Sequence, residues 1–183
     1  MRPDRLLLAL ALLSAARPAV AEEPPPLASG RPPEWSVAAG YGFSVRLNGG
    51  RSDEHLFLFA PGVSFRLGPR FEYVVEGHVA RAFTPEGYVI GLMPAGFRYY
   101  VGRGRLLPYV CVGAGFGWTD LERLDEIDRR FNFLLQGSLG VRGALDGGRA
   151  WSFEARLSHI SNANTVLPNL GFNAVVFLAG FHL

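Results

Sequence analysis

Large apolar residues alternate with small or polar ones along most of the chain after Glu34. This period of two predicts β-strands, because successive side chains of a strand point to opposite faces. Segments of about 10 to 14 residues show the pattern, and clusters of Gly, Pro, Asp and Arg separate them. In the fourth and fifth segments the two faces are less distinct, and a bulge could exchange them. The eight predicted strands are residues 34–46, 55–67, 70–83, 87–101, 106–118, 130–143, 151–161 and 171–183.

The less bulky face of these strands separates a barrel in lipid from a barrel in water. In a secreted soluble barrel, the main alternative, that face would meet water and carry many charges. Here it is mostly Gly, Ala and Ser with isolated Arg, Glu and Gln, which suits a narrow, packed lumen. Strands of this length, when tilted, match the roughly 9 to 11 residues that cross a bilayer. The sequence therefore predicts an all-β fold, an eight-stranded antiparallel transmembrane β-barrel over residues 34–183.

The first residues have the order of a secretory signal peptide. A charged start precedes an apolar run from Leu6 to Ala16, and small residues follow at positions 19–21. We expect cleavage before Glu22. Residues 22–33 contain five prolines and should form an extended lead-in.

Charge and cysteine content exclude some functions. Removal of residues 1–21 would take away three arginines and one aspartate, which leaves 15 of the 18 basic and 15 of the 16 acidic residues. A formally neutral chain is a poor partner for nucleic acid, and we expect no nucleic-acid binding. The single cysteine, Cys111, cannot form an internal disulfide and is expected to be a small buried hydrophobe.

Turn lengths predict the orientation of the barrel. With the N-terminus in the periplasm, the short turns near residues 68–69, 102–104 and 146–148 lie on the periplasmic side, where short turns belong. The longer links 119–129 and 162–170 then lie outside the cell. Strand seven consequently runs outward and ends at the outer-leaflet side of the membrane.

Two polar residues end the apolar face of strand seven. His159 and Ser161 share that face with Trp151, Phe153 and Leu157. A serine hydroxyl becomes a strong nucleophile when a neighbouring base accepts its proton, and histidine is the commonest such base. Residues i and i+2 of a strand lie about 6.5 to 7 Å apart, a gap that side chains can close. The spacing is compatible with acyl transfer, but two polar residues at a strand end are more often interfacial hydrogen-bonding groups.

The wider segment adds a resemblance to a known family. Residues 159–163 read His-x-Ser-Asn-Ala and residues 168–171 read Pro-Asn-x-Gly. This pattern, on the last hairpin of a predicted eight-stranded barrel, resembles the outer-membrane lipid A 3-O-deacylase family of acyloxyacyl hydrolase-like barrels. The resemblance implies hydrolysis of an ester-linked acyl chain of lipopolysaccharide in the outer membrane of a Gram-negative bacterium. It also implies that His159 is the general base, Ser161 the nucleophile and Asn162 a donor to the oxyanion.

One position departs from the family pattern. Fourteen residues after the histidine the family has a glutamate that orients the imidazole, whereas this chain has Asn173. An amide oxygen can accept the imidazole proton and fix the tautomer, but it does not offset the charge that forms on the base. Glu154 is no substitute, because alternation directs it into the lumen. The alternative function is therefore a non-catalytic barrel of the same family with a structural or lipid-binding role.

The remaining residues predict neither a metal site nor a cofactor. His55, His78 and His182 have no metal-ligand spacing with His159. A small-solute pore is disfavoured, since side chains fill the lumen of an eight-stranded barrel. The expected partners are lipopolysaccharide and the outer membrane. The sequence leaves open the acyl position, the chain length and whether the barrel forms a homodimer.

Overall fold

The computed structural model describes residues 32–45, 54–83, 86–102, 104–121, 130–167, 169 and 171–183. The predicted signal peptide and nearly all of the Pro-rich lead-in lie outside these residues and stay predictions. No helix in the described part is long and apolar enough to cross a membrane. The strands are β1 (Glu34–Ser44), β2 (His55–Arg66), β3 (Phe71–Phe83), β4 (Glu86–Tyr100), β5 (Leu106–Thr119), β6 (Phe131–Ala144), β7 (Ala150–Ser161) and β8 (Phe172–His182).

The strands form a closed antiparallel barrel in which each pairs with its neighbours in the chain. β1 also pairs with β8, in a register that sets Ser36 opposite His182 and Ser44 opposite Ala174. Closure pairs the backbone N–H and C=O groups of every strand edge. A barrel in lipid requires this pairing, because lipid cannot hydrate free backbone groups. The predicted fold is confirmed, and the predicted strand bounds agree with the observed ones to within two residues.

The outer surface of the barrel is a band of exposed apolar and aromatic side chains. Trp35 is 65% exposed, Phe153 59% and Phe177 57%, and each of the eight strands contributes such residues. An apolar surface that encircles a monomer is unfavourable in water and favourable in the hydrocarbon of a bilayer. The barrel is therefore built to span a membrane.

A bulge in β4 exchanges its two faces. Met93 and Arg98 are both buried, although their offset of five residues should place them on opposite faces. The pairing of β4 with β5 shifts register between Leu92 and Ala95. Pro94 lies at the shift, where the absent N–H of proline interrupts the ladder. β5 keeps a regular alternation, so the exchange considered for both strands occurs in the fourth alone.

The half of the lumen nearer the 162–171 loop is apolar. This differs from the expectation of small and polar groups throughout. Leu58 and Val176 are fully buried there, because side chains from facing strands fill the narrow interior as a protein core does. The larger members of this cluster are Leu56, Leu58, Val89, Met93, Leu121, Leu134, Ile160, Phe172, Val176 and Leu178.

The other half of the lumen holds buried ion pairs. Arg156 contacts Glu76 at 2.5 Å and Glu154 at 2.6 Å, and its side chain is 2% exposed. Arg98 contacts Glu72 at 2.9 Å. Buried charges are tolerated when each is paired and hydrogen-bonded, and here Glu76 of β3 and Glu154 of β7 both pair with Arg156. Glu154 faces the lumen, as alternation predicted.

The two ends of the barrel differ in their connections. The short links between β2 and β3, β4 and β5, and β6 and β7 share one end with the start of β1 and the end of β8. We call this the short-turn end, and the opposite one the long-loop end. β7 runs from the short-turn end to the long-loop end, which brings His159 and Ser161 to the rim. Cys111 is a free, buried thiol, as expected.

Candidate functional site

His159 and Asn173 form the centre of the candidate site. They lie directly opposite each other on β7 and β8. The Nδ1 atom of His159 is 2.8 Å from the Oδ1 atom of Asn173. An amide oxygen only accepts hydrogen bonds, so the proton sits on Nδ1 and Nε2 keeps its lone pair. The pair therefore presents the imidazole as a base through Nε2.

Ser161 follows two residues later on the same outward face. It is partly buried and pairs with Phe133 of β6. Among the contacts of the described residues, none is a hydrogen bond between the Ser161 hydroxyl and His159. Such bonds are often long in an unliganded enzyme and tighten when substrate binds. The structure brings base and hydroxyl to one patch of the rim and leaves the last adjustment to side-chain rotation.

Gly171 makes room for the histidine ring. Its φ of +72° lies in the left-handed region that favours glycine. A Cβ atom at this position would stand 2.5 Å from Cε1 and 3.3 Å from Nε2 of His159. The sequence motif contains this glycine, but the sequence offered no reason for it. The structure explains it as the residue that leaves space beside the basic nitrogen.

A hydrogen-bonded turn follows Ser161. The backbone N–H of Asn162 donates to Oδ1 of Asn169 at 3.1 Å, and the Asn169 amide donates to Oδ1 of Asn164 at 3.0 Å. The Thr165 hydroxyl donates to the Asn162 carbonyl at 2.8 Å. Ala163 and Asn164 have φ values of +53° and +60°. Sequence reasoning missed the part of Asn169, which fastens this turn to the end of the strand. Pro168 lies outside the described residues.

The Asn162 side chain does not lie beside Ser161. It is fully buried, and its Oδ1 and Nδ2 atoms have no hydrogen-bond partner in the described part of the chain. The strand alternation continues one residue past Ser161, which directs this amide to the interior. The amide is thus buried away from the outer surface, and the role of Asn162 as a donor to the oxyanion stays a prediction.

A shallow apolar groove lies on the outer surface along the same strands. Its volume is about 660 Å³. The small side chains of Ala155 and Ala179 form part of its floor, and Phe153 and Phe177 form part of its walls. Ala155 is four residues from His159, or about 13 Å along the strand. An apolar groove thus begins within a short distance of the polar pair.

The other histidines lie apart from this site. His78 is buried in the lumen, His182 lies 3.1 Å from Glu34, and His55 stacks on Tyr41 with ring centroids 5.7 Å apart. Within the described ranges, no three or more His, Cys, Asp and Glu side chains form a group that could hold a metal ion. The chemistry of the rim is consequently that of imidazole, hydroxyl and carboxamide groups.

Comparison with solved structures supports the fold. The crystal structure of the outer membrane enzyme PagL superposes with a TM-score of 0.62 at 17% sequence identity, covering 80% of this chain and 97% of that one. The crystal structure of Neisserial surface protein A (NspA) gives a TM-score of 0.61 at 15% identity, covering 82% and 96%. At these identities the likeness concerns the fold.

Comparison of sequences identifies the family. No curated protein matches the chain. The family model described as lipid A 3-O-deacylase (PagL) matches residues 38–182, which is nearly the whole barrel. Together with the apolar exterior, this match places the chain in the outer membrane of a Gram-negative bacterium, where single-chain bacterial barrels of this kind reside. The chain belongs to the lipid A 3-O-deacylase (PagL) family.

Proposed function

We propose that this protein is an esterase that hydrolyses an ester-linked acyl chain of lipid A in the outer leaflet. The observation that carries the proposal is the 2.8 Å contact between His159 Nδ1 and Asn173 Oδ1. This contact orients the imidazole at the membrane-facing rim and supports a role for His159 as the base, with Ser161 on the same face. Family membership supplies the substrate class.

The proposed reaction proceeds through an acyl-enzyme. The Ser161 oxygen attacks the ester carbonyl carbon while His159 Nε2 takes the hydroxyl proton. The tetrahedral intermediate then collapses, and the sugar oxygen leaves with the proton from His159. Water hydrolyses the acyl-serine by the same route in reverse, which releases the fatty acid and restores both residues.

Asn173 is proposed to be the positioning residue for His159. Its amide oxygen holds the ring and the tautomer but carries no charge to stabilise the imidazolium that forms during attack. In a serine protease the corresponding change from aspartate to asparagine lowers turnover by about four orders of magnitude. We therefore expect this protein to be a slow enzyme.

The groove beside the site is proposed to accommodate the hydrocarbon of the substrate. Its alanine floor and phenylalanine walls offer an apolar surface continuous with the membrane. An acyl chain with its ester at Ser161 would run along β7 past Leu157 toward Ala155, about 20 Å away, so that its distal end reaches the groove. Asn162 is assigned a structural part in the turn after the nucleophile, because its side chain is buried away from that surface.

The test is ester release from purified lipopolysaccharide in detergent by the folded wild type and four variants. Ser161→Ala and His159→Ala should abolish release, since they remove the nucleophile and the base. Asn173→Glu should raise the rate at least about tenfold, because a carboxylate stabilises the protonated histidine. Arg149→Ala, a change at an exposed position of the short-turn end, is the control and should retain most of the activity.

Two outcomes would contradict the proposal. Wild-type activity in Ser161→Ala would mean that another group is the nucleophile. Inactivity of the wild type and of Asn173→Glu, with both correctly folded on a heat-modifiability gel, would favour the non-catalytic barrel with a structural or lipid-binding role.

A further inference from the structure

An arrangement of serine, histidine and carboxylate, separate from the rim site, lies inside the barrel at the short-turn end. The Ser152 hydroxyl oxygen is 3.0 Å from His182 Nε2. The Nδ1 atom of the same ring is 3.1 Å from Glu34 Oε1. The three residues come from β7, β8 and β1, which are neighbours in the closed barrel. Their separation in sequence concealed the arrangement until the barrel was closed.

The hydrogen bonds of this triad have a definite direction. A carboxylate only accepts, so His182 donates from Nδ1 to Glu34. Nε2 is then free to accept, and the Ser152 hydroxyl donates to it. This is the directionality that activates a serine hydroxyl, and it is already complete here, whereas at the outer rim Ser161 and His159 are not hydrogen-bonded.

Arg142 fixes the carboxylate of the triad. Its guanidinium donates to both oxygens of Glu34, at 2.7 and 2.6 Å. The bidentate contact orients Glu34 toward His182 and keeps the carboxylate ionised. The positive charge of Arg142 also weakens the electrostatic effect of that carboxylate on the His182 ring. The Glu34 side chain is 23% exposed and that of His182 4%. The triad therefore lies just below the mouth of the barrel, with its carboxylate at the opening.

Small residues surround the Ser152 hydroxyl. Gly180 lies directly opposite Ser152 on β8. A Cβ atom at Gly180 would collide with the Ser152 hydroxyl oxygen and would stand 3.4 Å from the Cβ of Ala38. The glycine thus keeps clear the space that the hydroxyl occupies beside His182. Because Ser152 and His182 are only 7% and 4% exposed, the hydroxyl is accessible to small acyl or phosphonyl compounds at most, and not to a lipid.

We propose that Ser152 is a second reactive serine of this barrel, which takes small soluble esters or phosphonyl compounds that enter from the short-turn end. The Ser152 oxygen attacks the carbonyl carbon, its proton moves to His182 Nε2, and the alcohol leaves with that proton. Water then releases the acid from the acyl-serine. With a fluorophosphonate the oxygen–phosphorus bond forms, fluoride leaves and the adduct persists. This proposal is independent of the activity proposed for the rim.

The test is fluorophosphonate labelling of the folded Ser161→Ala protein in detergent, followed by trypsin and mass spectrometry. The tryptic peptide 150–156 contains Ser152 as its sole serine, while Ser158 lies in the next peptide. We expect label on peptide 150–156. His182→Gln should slow this labelling about a hundredfold, because a general base typically accelerates such a step by at least that factor. Gly180→Ala should also slow it, because the new methyl group displaces the hydroxyl.

Ser158→Ala is the matched control. Ser158 is another buried lumen serine of β7, and the described part of the chain shows no hydrogen bond between it and a histidine. Its replacement should leave labelling of Ser152 unchanged. Absence of label on peptide 150–156 in the folded protein would overturn the proposal and assign the triad to closure of the β1–β8 seam. Equal labelling rates with and without His182 would overturn it as well.

Discussion

At the scale of single residues, the candidate site depends on a glycine without a side chain as well as on its polar side chains. His159 can hold its ring against Asn173 because Gly171, on the loop that enters β8, has no side chain. The ring, its acceptor and the space beside it come from positions 159, 173 and 171, which the hairpin brings together. The position of the base is thus a property of the hairpin, and one added methyl group should disturb it.

The expected effect of Gly171→Ala is loss of deacylation with the barrel intact. The new Cβ would displace the ring, and the left-handed backbone would add about 1 to 2 kcal/mol of strain. Gly148→Ala is the matched control, since Gly148 has a φ of +79° and nothing within 4 Å of its Cβ position. Both variants should show similar unfolding midpoints in urea, whereas only Gly171→Ala should lose ester release. Equal activity in the two would show that the glycine does not position His159.

At the scale of elements, β7 joins the two chemistries of the molecule. Its outward face carries His159 and Ser161, and its inward face carries the buried ion pairs of Arg156. The pair with Glu76 links β7 to β3, so this inward contact helps to hold in place the strand that presents the site. Stability and site geometry therefore depend on the same element.

Arg156→Met tests the contribution of these pairs to stability. It leaves Glu76 and Glu154 buried without their cation, a change that costs about 3 to 5 kcal/mol in other proteins. Arg81→Met is the control, because Arg81 and Glu86 are 51% and 74% exposed and such a pair contributes at most about 1 kcal/mol. Urea unfolding followed by tryptophan fluorescence should show the larger shift for Arg156→Met. Equal shifts would mean that the buried pairs add no net stability.

The strands could be predicted from the sequence far better than their contacts. Alternation determines which face a residue such as Glu154 occupies, because the period of a strand is a local property. It does not reveal that Arg156 meets Glu76, or that His182 meets Glu34, since barrel closure and register create those pairs. Alternation singled out His159, and the family resemblance added Asn173 through its spacing from the histidine. The buried side chain of Asn162 and the apolar half of the lumen were not predicted, as both depend on packing from several strands.

At the scale of the whole molecule, the outer surface of the barrel and part of its interior are both apolar. The apolar exterior meets lipid, and the interior is apolar toward the long-loop end and charged toward the short-turn end. A polar group on the outside should be tolerated only near the rims, where the membrane is hydrated. His159 and Ser161 fit this rule, since they are among the last residues of β7 before the loop.

The cost of an outward charge should consequently depend on depth. Val112 and Leu106 are both 58% exposed on β5, but Val112 lies at mid-strand and Leu106 begins the strand. Val112→Arg should destabilise the barrel by about 2 to 4 kcal/mol and Leu106→Arg by about 0 to 1 kcal/mol. Reversible urea unfolding in lipid vesicles measures both. Equal costs would contradict the placement of the barrel in the membrane.

The most direct test of the central claim is mass spectrometry of lipid A from bacteria that express the wild type or Ser161→Ala. Folded wild type should convert part of the lipid A to a species that lacks one ester-linked acyl chain, and Asn173→Glu should convert more. Ser161→Ala, at the same level in the outer membrane, should leave the lipid A unchanged. Unaltered acylation with strongly expressed wild type and Asn173→Glu, both folded, would contradict the account.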